Sequence, residues 1–116
     1  MDGARSVLFD TALLYQGIEE LAAIFDVQDR GAAVIADLKA REAAAVERAQ
    51  ALDLPETVSG LFWYSSAEIE IDPYVAGANG VPGWMMSKLG VQNGGASPEE
   101  WPTVGWETIA KAGPAF

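Results

Sequence analysis

The side chains of this sequence that could do chemistry are carboxylates and aromatic rings, because it contains no His and no Cys. Without thiols there is no disulfide, thiolate metal site or cysteine nucleophile, and without an imidazole Ser65 and Ser66 have no base to activate them. No Gly-x-Ser-x-Gly or Gly-x-x-x-x-Gly-Lys pattern occurs. Two acid pairs remain, Glu68 with Asp72 and Glu99 with Glu107. A hydrolase needs such a pair set across a cleft, and nothing in the spacing sets these so. Glu68-Ile69-Glu70-Ile71-Asp72 alternates acid with apolar residues and is either a short edge strand or an acidic loop. Its three carboxylates could hold a cation, yet the glycine-turned loop and further oxygen ligands of a calcium site are missing. The expectation is a chain that is not an enzyme, binds no metal through its own side chains and uses no cofactor.

The aromatic rings point elsewhere. Pro73 to Glu107 holds three of the four Trp (Trp84, Trp101, Trp106) and more than half of the twelve Gly. Glycines let the backbone turn and approach a partner closely, while large rings give flat contact area at small entropic cost. A loop-built binding face has this composition. So does a small core in which Trp packs while Gly and Pro punctuate turns, and composition alone leaves both readings open.

The order of the parts is more informative. Pro73-Tyr74-Val75-Ala76-Gly77 leads into a Gly-rich turn (Gly77 to Gly80), then a short helix (Pro82 to Leu89) and a break (Gly90 to Gly95). The stretch closes on Trp101-Pro102-Thr103-Val104-Gly105-Trp106-Glu107 and an apolar helical run. This order resembles the second lobe of the substrate-binding proteins of ABC importers for iron-siderophores, haem and vitamin B12, whose two lobes are joined by one long rigid helix. The resemblance implies that Tyr74, Trp101 and the Gly77, Asn79 and Gly80 loop face a metal-chelate ligand. It also implies that Glu107 docks on an ABC permease. Trp84 and Trp106 are read as packing residues, since a Trp on an adjacent helix is more often core than contact. Two departures stand out. Gly105 occupies a position usually taken by Ser, and Asn93-Gly94-Gly95-Ala96 replaces an apolar run, removing large side chains from an expected strand.

Length sets the scale of that resemblance. A chain of 116 residues is one domain's worth and not two lobes. The implied parts are the end of a first lobe (1–29, strand and helix), a backbone helix (30–54) and part of a second lobe (55–116). The fold class expected is α/β, a long connecting helix with part of a parallel-sheet lobe and flanking helices, completed by oligomerisation. Unpaired sheet edges and an uncovered helix face invite association, so a homo-oligomer, an intertwined dimer, is expected. A non-binding structural module derived from such a lobe is the alternative.

Charge narrows the partners. The formal net charge is −10, with seventeen Asp and Glu against seven Lys and Arg. Nucleic acid and anionic membrane surfaces are therefore excluded as partners, since each demands a basic patch. Beyond Gln50 only Lys88 and Lys111 are cationic, so a strongly anionic siderophore would have to find its arginines elsewhere. The first residues lack the basic and apolar regions of a secretory signal, and the resemblance then implies a mature or excised piece of an exported, periplasmic protein.

Several elements must position these residues. Ser6 to Asp10 reads as a short strand. Asp10 and Thr11 offer caps to a helix in which Leu13, Leu14, Ile18, Leu21, Ala22 and Phe25 recur at three- and four-residue spacing, so that one face of 13–25 is expected to be buried, with Glu19 and Glu20 solvated opposite. Gln28 or Asp29 caps the next helix. From Arg30 to Leu52 there is one Gly, no Pro and nine Ala, which gives a helix of about 35 Å. Its stripe of Ile35, Leu38, Ala45, Ala49 and Leu52 is mostly small, and Asp37 with Arg41 makes an i,i+4 pair. It reads as a rigid spacer or as a bundle helix. Pro55 ends it, and Val58 to Ser65 reads as one central strand buried on both faces through Leu61-Phe62-Trp63-Tyr64.

Overall fold

The computed structural model describes residues 8–55, 58–65, 68, 71–95 and 97–115. By its internal contacts the chain divides into two compact units, Asp10–Leu52 and a second made of Met1–Phe9 with Asp53–Phe116. The architecture is mixed α/β, as the sequence predicts.

The first unit is an antiparallel helix pair, α1 (Thr11–Ile24) and α2 (Gln28–Ala51). Asp10 caps α1 through its side chain, which accepts from the Ala12 N–H at 2.8 Å. The helix ends in a Schellman turn: the Val27 N–H donates to the Ala22 carbonyl and the Asp26 N–H to that of Ala23, with Asp26 left-handed at φ 53°. Val27 begins α2 without a side-chain cap, so neither Gln28 nor Asp29 has that role. Matching stripes at i, i+4, i+7, i+11 meet between the helices, Thr11-Tyr15-Ile18-Ala22 on α1 and Gly31-Ile35-Leu38-Glu42 on α2; Ala22, Gly31 and Ile35 are buried and the rest half-buried. Any side chain on Gly31 would collide with the Ala22 Cβ, so glycine is what lets the two backbones close there.

One helix covers only one stripe of another. Leu13, Leu14, Leu21, Ile24 and Phe25 consequently stay exposed, Ile24 and Phe25 at 74% and 70%. The expected burial of the Leu13 to Phe25 apolar face is therefore wrong in all but Ala22 and Ile18. Of the stripe read on the second helix, Ile35 is buried, Leu38 and Ala49 half-buried, and Ala45 and Leu52 exposed. α2 stops at Ala51, before Pro55, because Asp53 turns left-handed at φ 47°.

The second unit is built on four short strands and two helices: β1 (Ser59–Gly60), β2 (Trp63–Ser65), β3 (Tyr74–Val75), α3 (Val81–Leu89), β4 (Gln92–Asn93) and α4 (Trp106–Ala112). β1 pairs parallel with β4, Ser59 opposite Gln92. On its other side β1 receives the Ala115 N–H on the Ser59 carbonyl at 2.9 Å, so it lies between two neighbours. β2 pairs antiparallel with β3. The single buried strand expected over Val58 to Ser65 is thus two strands serving two sheets. The Val58 and Gly60 carbonyls are taken by Gln92 and Gly94, after which β4 turns away and the chain finds its next partner in β3, through the Ala76 N–H on the Phe62 carbonyl. Phe62, Trp63 and Tyr64 are exposed as a result, at 42%, 63% and 58%.

Despite its glycines, 90–95 does contain a strand. The Asn93 side chain organises the turn beyond it, donating from Nδ2 to the Ala76 carbonyl at 2.9 Å and accepting the Gly95 N–H at 2.8 Å. A Cβ on Gly95 would stand 2.8 Å from both the Ala76 carbonyl oxygen and Val75 Cγ2, so the replacement of the apolar run by glycines permits this close crossing. Of the strand expected at Ser6 to Asp10, residues 6 and 7 lie outside the described ones, and Leu8, Phe9 and Asp10 form no regular element. In the acidic stretch 68–72, residues 69 and 70 lie outside too; Glu68 and Ile71 close a turn, N–H to carbonyl at 3.1 Å, which favours the loop. Among the described residues no helix is long and apolar enough to cross a membrane, and no cluster of acidic side chains could hold a metal ion.

Candidate ligand-binding site

The site predicted from sequence is assembled by one irregular antiparallel ladder between Pro73–Asn79 and Ser97–Val104. Its bonds run from the Val104 N–H to the Pro73 carbonyl (3.1 Å), Val75 N–H to Pro102 (3.0 Å), Gly77 N–H to Glu100 (2.9 Å), Ala78 N–H to Ser97 (2.8 Å) and Asn79 N–H to Glu99 (3.3 Å). Tyr74 is bridged to Thr103, and the same register sets Ala76 opposite Trp101. The return bond of that second rung is missing because Pro102 has no N–H.

Alternation along the ladder sorts the side chains. Tyr74, Ala76, Thr103 and Trp101 share one face; Val75, Pro102 and Val104 share the other. Val75 and Ala76 have no exposure at all and Pro73 almost none, so the ladder is anchored by apolar burial from beneath and between. Tyr74 and Trp101 are half-buried, which leaves part of each ring open on a rigid support. The Trp101 ring meets that of Tyr64 at 5.0 Å between centroids, the planes inclined by 44°. Tyr64 is the side chain that sequence reasoning missed. Its composition places it in a strand buried on both faces, and the two serines after it are the sign that the strand ends in the open.

The Gly-rich turn lies at the end of this ladder. Gly77 and Gly80 are buried and Asn79 is half-buried. Gly80 is the extended N-cap of α3, and its carbonyl accepts the Trp84 N–H at 2.9 Å. The Glu100 side chain crosses Gly80, so close that a Cβ there would lie 3.6 Å from Glu100 Oε1. A carboxylate beside a helix amino terminus is stabilised by the helix dipole. Tyr74, Trp101 and the 77–80 loop thus belong to one continuous piece of structure.

Glu107 stands apart from it, in the first turn of α4, exposed and paired with Lys111 at 3.2 Å. The two Trp read as packing residues both meet another ring edge-on: Trp84 meets Phe9 at 5.7 Å, and Trp106, 40% exposed, meets Trp63 at 6.4 Å.

A family model described as periplasmic binding protein matches residues 4–116. The chain belongs to the periplasmic binding protein family. This family consists of solute-binding proteins, not enzymes, and its setting is extracytoplasmic. A solved structure with the same fold is described as a possible iron-binding (periplasmic solute-binding) protein from Staphylococcus epidermidis, with a TM-score of 0.74 at 19% identity over 86% of this chain. The match takes in 37% of that protein, so the periplasmic binding protein chain described here spans little more than a third of its length. No curated protein matches the chain.

Proposed function

We propose that the chain is a substrate-binding component, or a fragment of one, of an ABC importer for metal chelates of the iron-siderophore, haem or cobalamin type. In this reading residues 1–29 end the first lobe, 30–54 form the connecting helix and 55–116 make part of the second lobe. Tyr74 and Trp101 contact the chelate, the Gly77, Asn79 and Gly80 loop closes one edge, and Glu107 docks on the permease. The observation that carries the reading is the ladder register that gives Tyr74 and Trp101 a common face on a buried support. The description of the Staphylococcus protein as iron-binding lends weight to the choice of ligand class.

The test is a titration of the whole chain with a neutral ferric trihydroxamate, a ferric tris-catecholate, haem and cobalamin, followed by Trp fluorescence. Saturable quenching by at least one of them is expected. A folded chain, by circular dichroism, whose fluorescence responds to none of them refutes the reading.

The exposed apolar residues of α1 favour a companion reading in which a second copy of the chain completes the fold. The expected homo-oligomer rests on Leu14, Leu21 and Phe25, which are 51%, 57% and 70% exposed along one side of the helix.

A further inference from the structure

Tyr64 is the extra residue of a bulge. Trp63 pairs with Val75 and Ser65 with Tyr74, which leaves Tyr64 between two rungs. Bulges bend a strand and re-aim one side chain, and this one turns the phenol ring onto Trp101. Ala76, opposite Trp101 in the ladder, contributes only a methyl to that face. A ring pair that served only to fill a core would be covered. Tyr64 is instead 58% exposed, with its ring centroid 5.0 Å from that of the half-buried Trp101, so the pair presents aromatic surface to solvent.

The charge of this part of the sequence is mostly of one sign. From Asp53 to Phe116 the sequence has eight acidic residues and two lysines. Both lysines are engaged elsewhere, Lys111 with Glu107 at 3.2 Å and Lys88 over the Trp84 ring at 5.7 Å. Glu99, exposed, lies two residues before Trp101, while Glu100 falls on the other face of the ladder and lies across Gly80 at the start of α3. Asp72 is near the other end of the ladder, where a Cβ on Gly105 would stand 3.5 Å from its Oδ1. Aromatic faces attract cations through their quadrupole, Trp most strongly, and carboxylates at the rim add to that attraction.

We propose that Tyr64 and Trp101 form a single platform that receives a flat, positively charged ring system, with the acidic rim rejecting anionic rings of the same shape. The proposal rests on the ligand-binding reading of this face, adds to it a third ligand-contacting residue, and narrows it by a charge preference that ranks haem, with its two propionates, below a cationic or neutral chelate.

Two metal-free porphyrins with one core and opposite charge test it: the tetracationic tetra(N-methylpyridyl)porphyrin and the tetraanionic tetra(sulfonatophenyl)porphyrin, titrated into the whole chain at about physiological salt and followed by the porphyrin Soret band. The cationic porphyrin is expected to bind at least about tenfold more tightly, and Tyr64→Leu to weaken it about tenfold. Trp63→Leu, an exposed aromatic opposite Val75 on the other face, should leave it unchanged. Equal or tighter binding of the anionic porphyrin overturns the charge preference. Cationic binding that Tyr64→Leu does not weaken is general attraction to an acidic protein and overturns the platform. In both cases a chelate that still quenches Trp fluorescence leaves the solute-binding reading standing. If neither porphyrin binds, the inference falls, and the chelate titration alone decides whether the broader reading falls with it.

Discussion

Trp101 and Tyr15 show how differently two aromatic residues can be employed. Trp101 keeps part of its ring open on a ladder whose other face is packed, so on the proposed reading truncation removes ligand contact without hollowing a core. Trp101→Ala should weaken binding of whichever chelate the titration identifies by about 1 to 3 kcal/mol, with little change in the thermal midpoint of the free chain. A large fall in that midpoint would make it a packing residue instead. Tyr15 is a structural counterpart. Its hydroxyl donates to Glu42 Oε2 at 2.9 Å, beside Thr11, which donates to the same oxygen at 3.0 Å, and Lys39 lies 5.2 Å from its ring centre. Partial burial, then the hydrogen bond and charge of Glu42, raise its pKa above the ordinary phenol value. The folded helix pair therefore holds the phenolic proton more tightly than the unfolded chain does. The stability this contributes is complete below a pH of about 10 and is lost as pH climbs through the raised value. Tyr15→Phe removes the titrating group. Its thermal midpoint should start lower at neutral pH and fall less than the parent's between about pH 9 and 11.5; parallel curves would show that the phenol is not coupled to folding.

At the scale of elements, the end of α1 offers the clearest test. Asp26 adopts the left-handed conformation at φ 53° in a Schellman turn, a position that usually goes to glycine. Asp26→Gly should raise stability by about 0.5 to 1 kcal/mol, read as an upward shift of the thermal midpoint; a fall would mean that the Asp26 side chain contributes more than its backbone strain costs. Helices were legible in the sequence because their signals are local. Alanine content and the lack of Pro announced α2 to within a few residues, and Asp10 announced the start of α1. What could not be read was which side of each helix is covered, since α1 is apolar around much of its circumference and only a partner decides. The strands were harder still. Leu61-Phe62-Trp63-Tyr64 has the composition of a buried strand, but burial there depends on the Ala76 N–H reaching the Phe62 carbonyl and on Asn93 turning β4 aside, both of them long-range bonds. Tyr74 and Trp101 were proposed as site residues from motif order and the structure gives them a common face, whereas the contact of Tyr64 with Trp101 depends on a bulge that Ser65 and Ser66 hint at only as a strand end.

For the whole molecule, two opposing terms decide whether copies associate. Leu13, Leu14, Leu21, Ile24 and Phe25 of α1 are all at least 43% exposed, and covering such side chains, already partly buried, is worth about 1 kcal/mol each. A two-fold dimer uses the stripe twice, so about 10 kcal/mol is available against an association cost of about 4 to 15 kcal/mol. The net is small, which predicts weak, concentration-dependent dimers. The formal charge of −10 on each copy works against them, and this repulsion is screened by salt while burial of apolar surface is not. Sedimentation velocity should accordingly show mostly monomer at low ionic strength and a growing dimer fraction as salt and protein concentration rise. Leu21→Glu with Phe25→Glu should return the chain to monomer under every condition, with its circular dichroism unchanged, because both side chains lie outside the stripe that packs on α2. A parent chain that stays monomeric at high salt and high concentration would show that this helix face does not mate with a copy of itself.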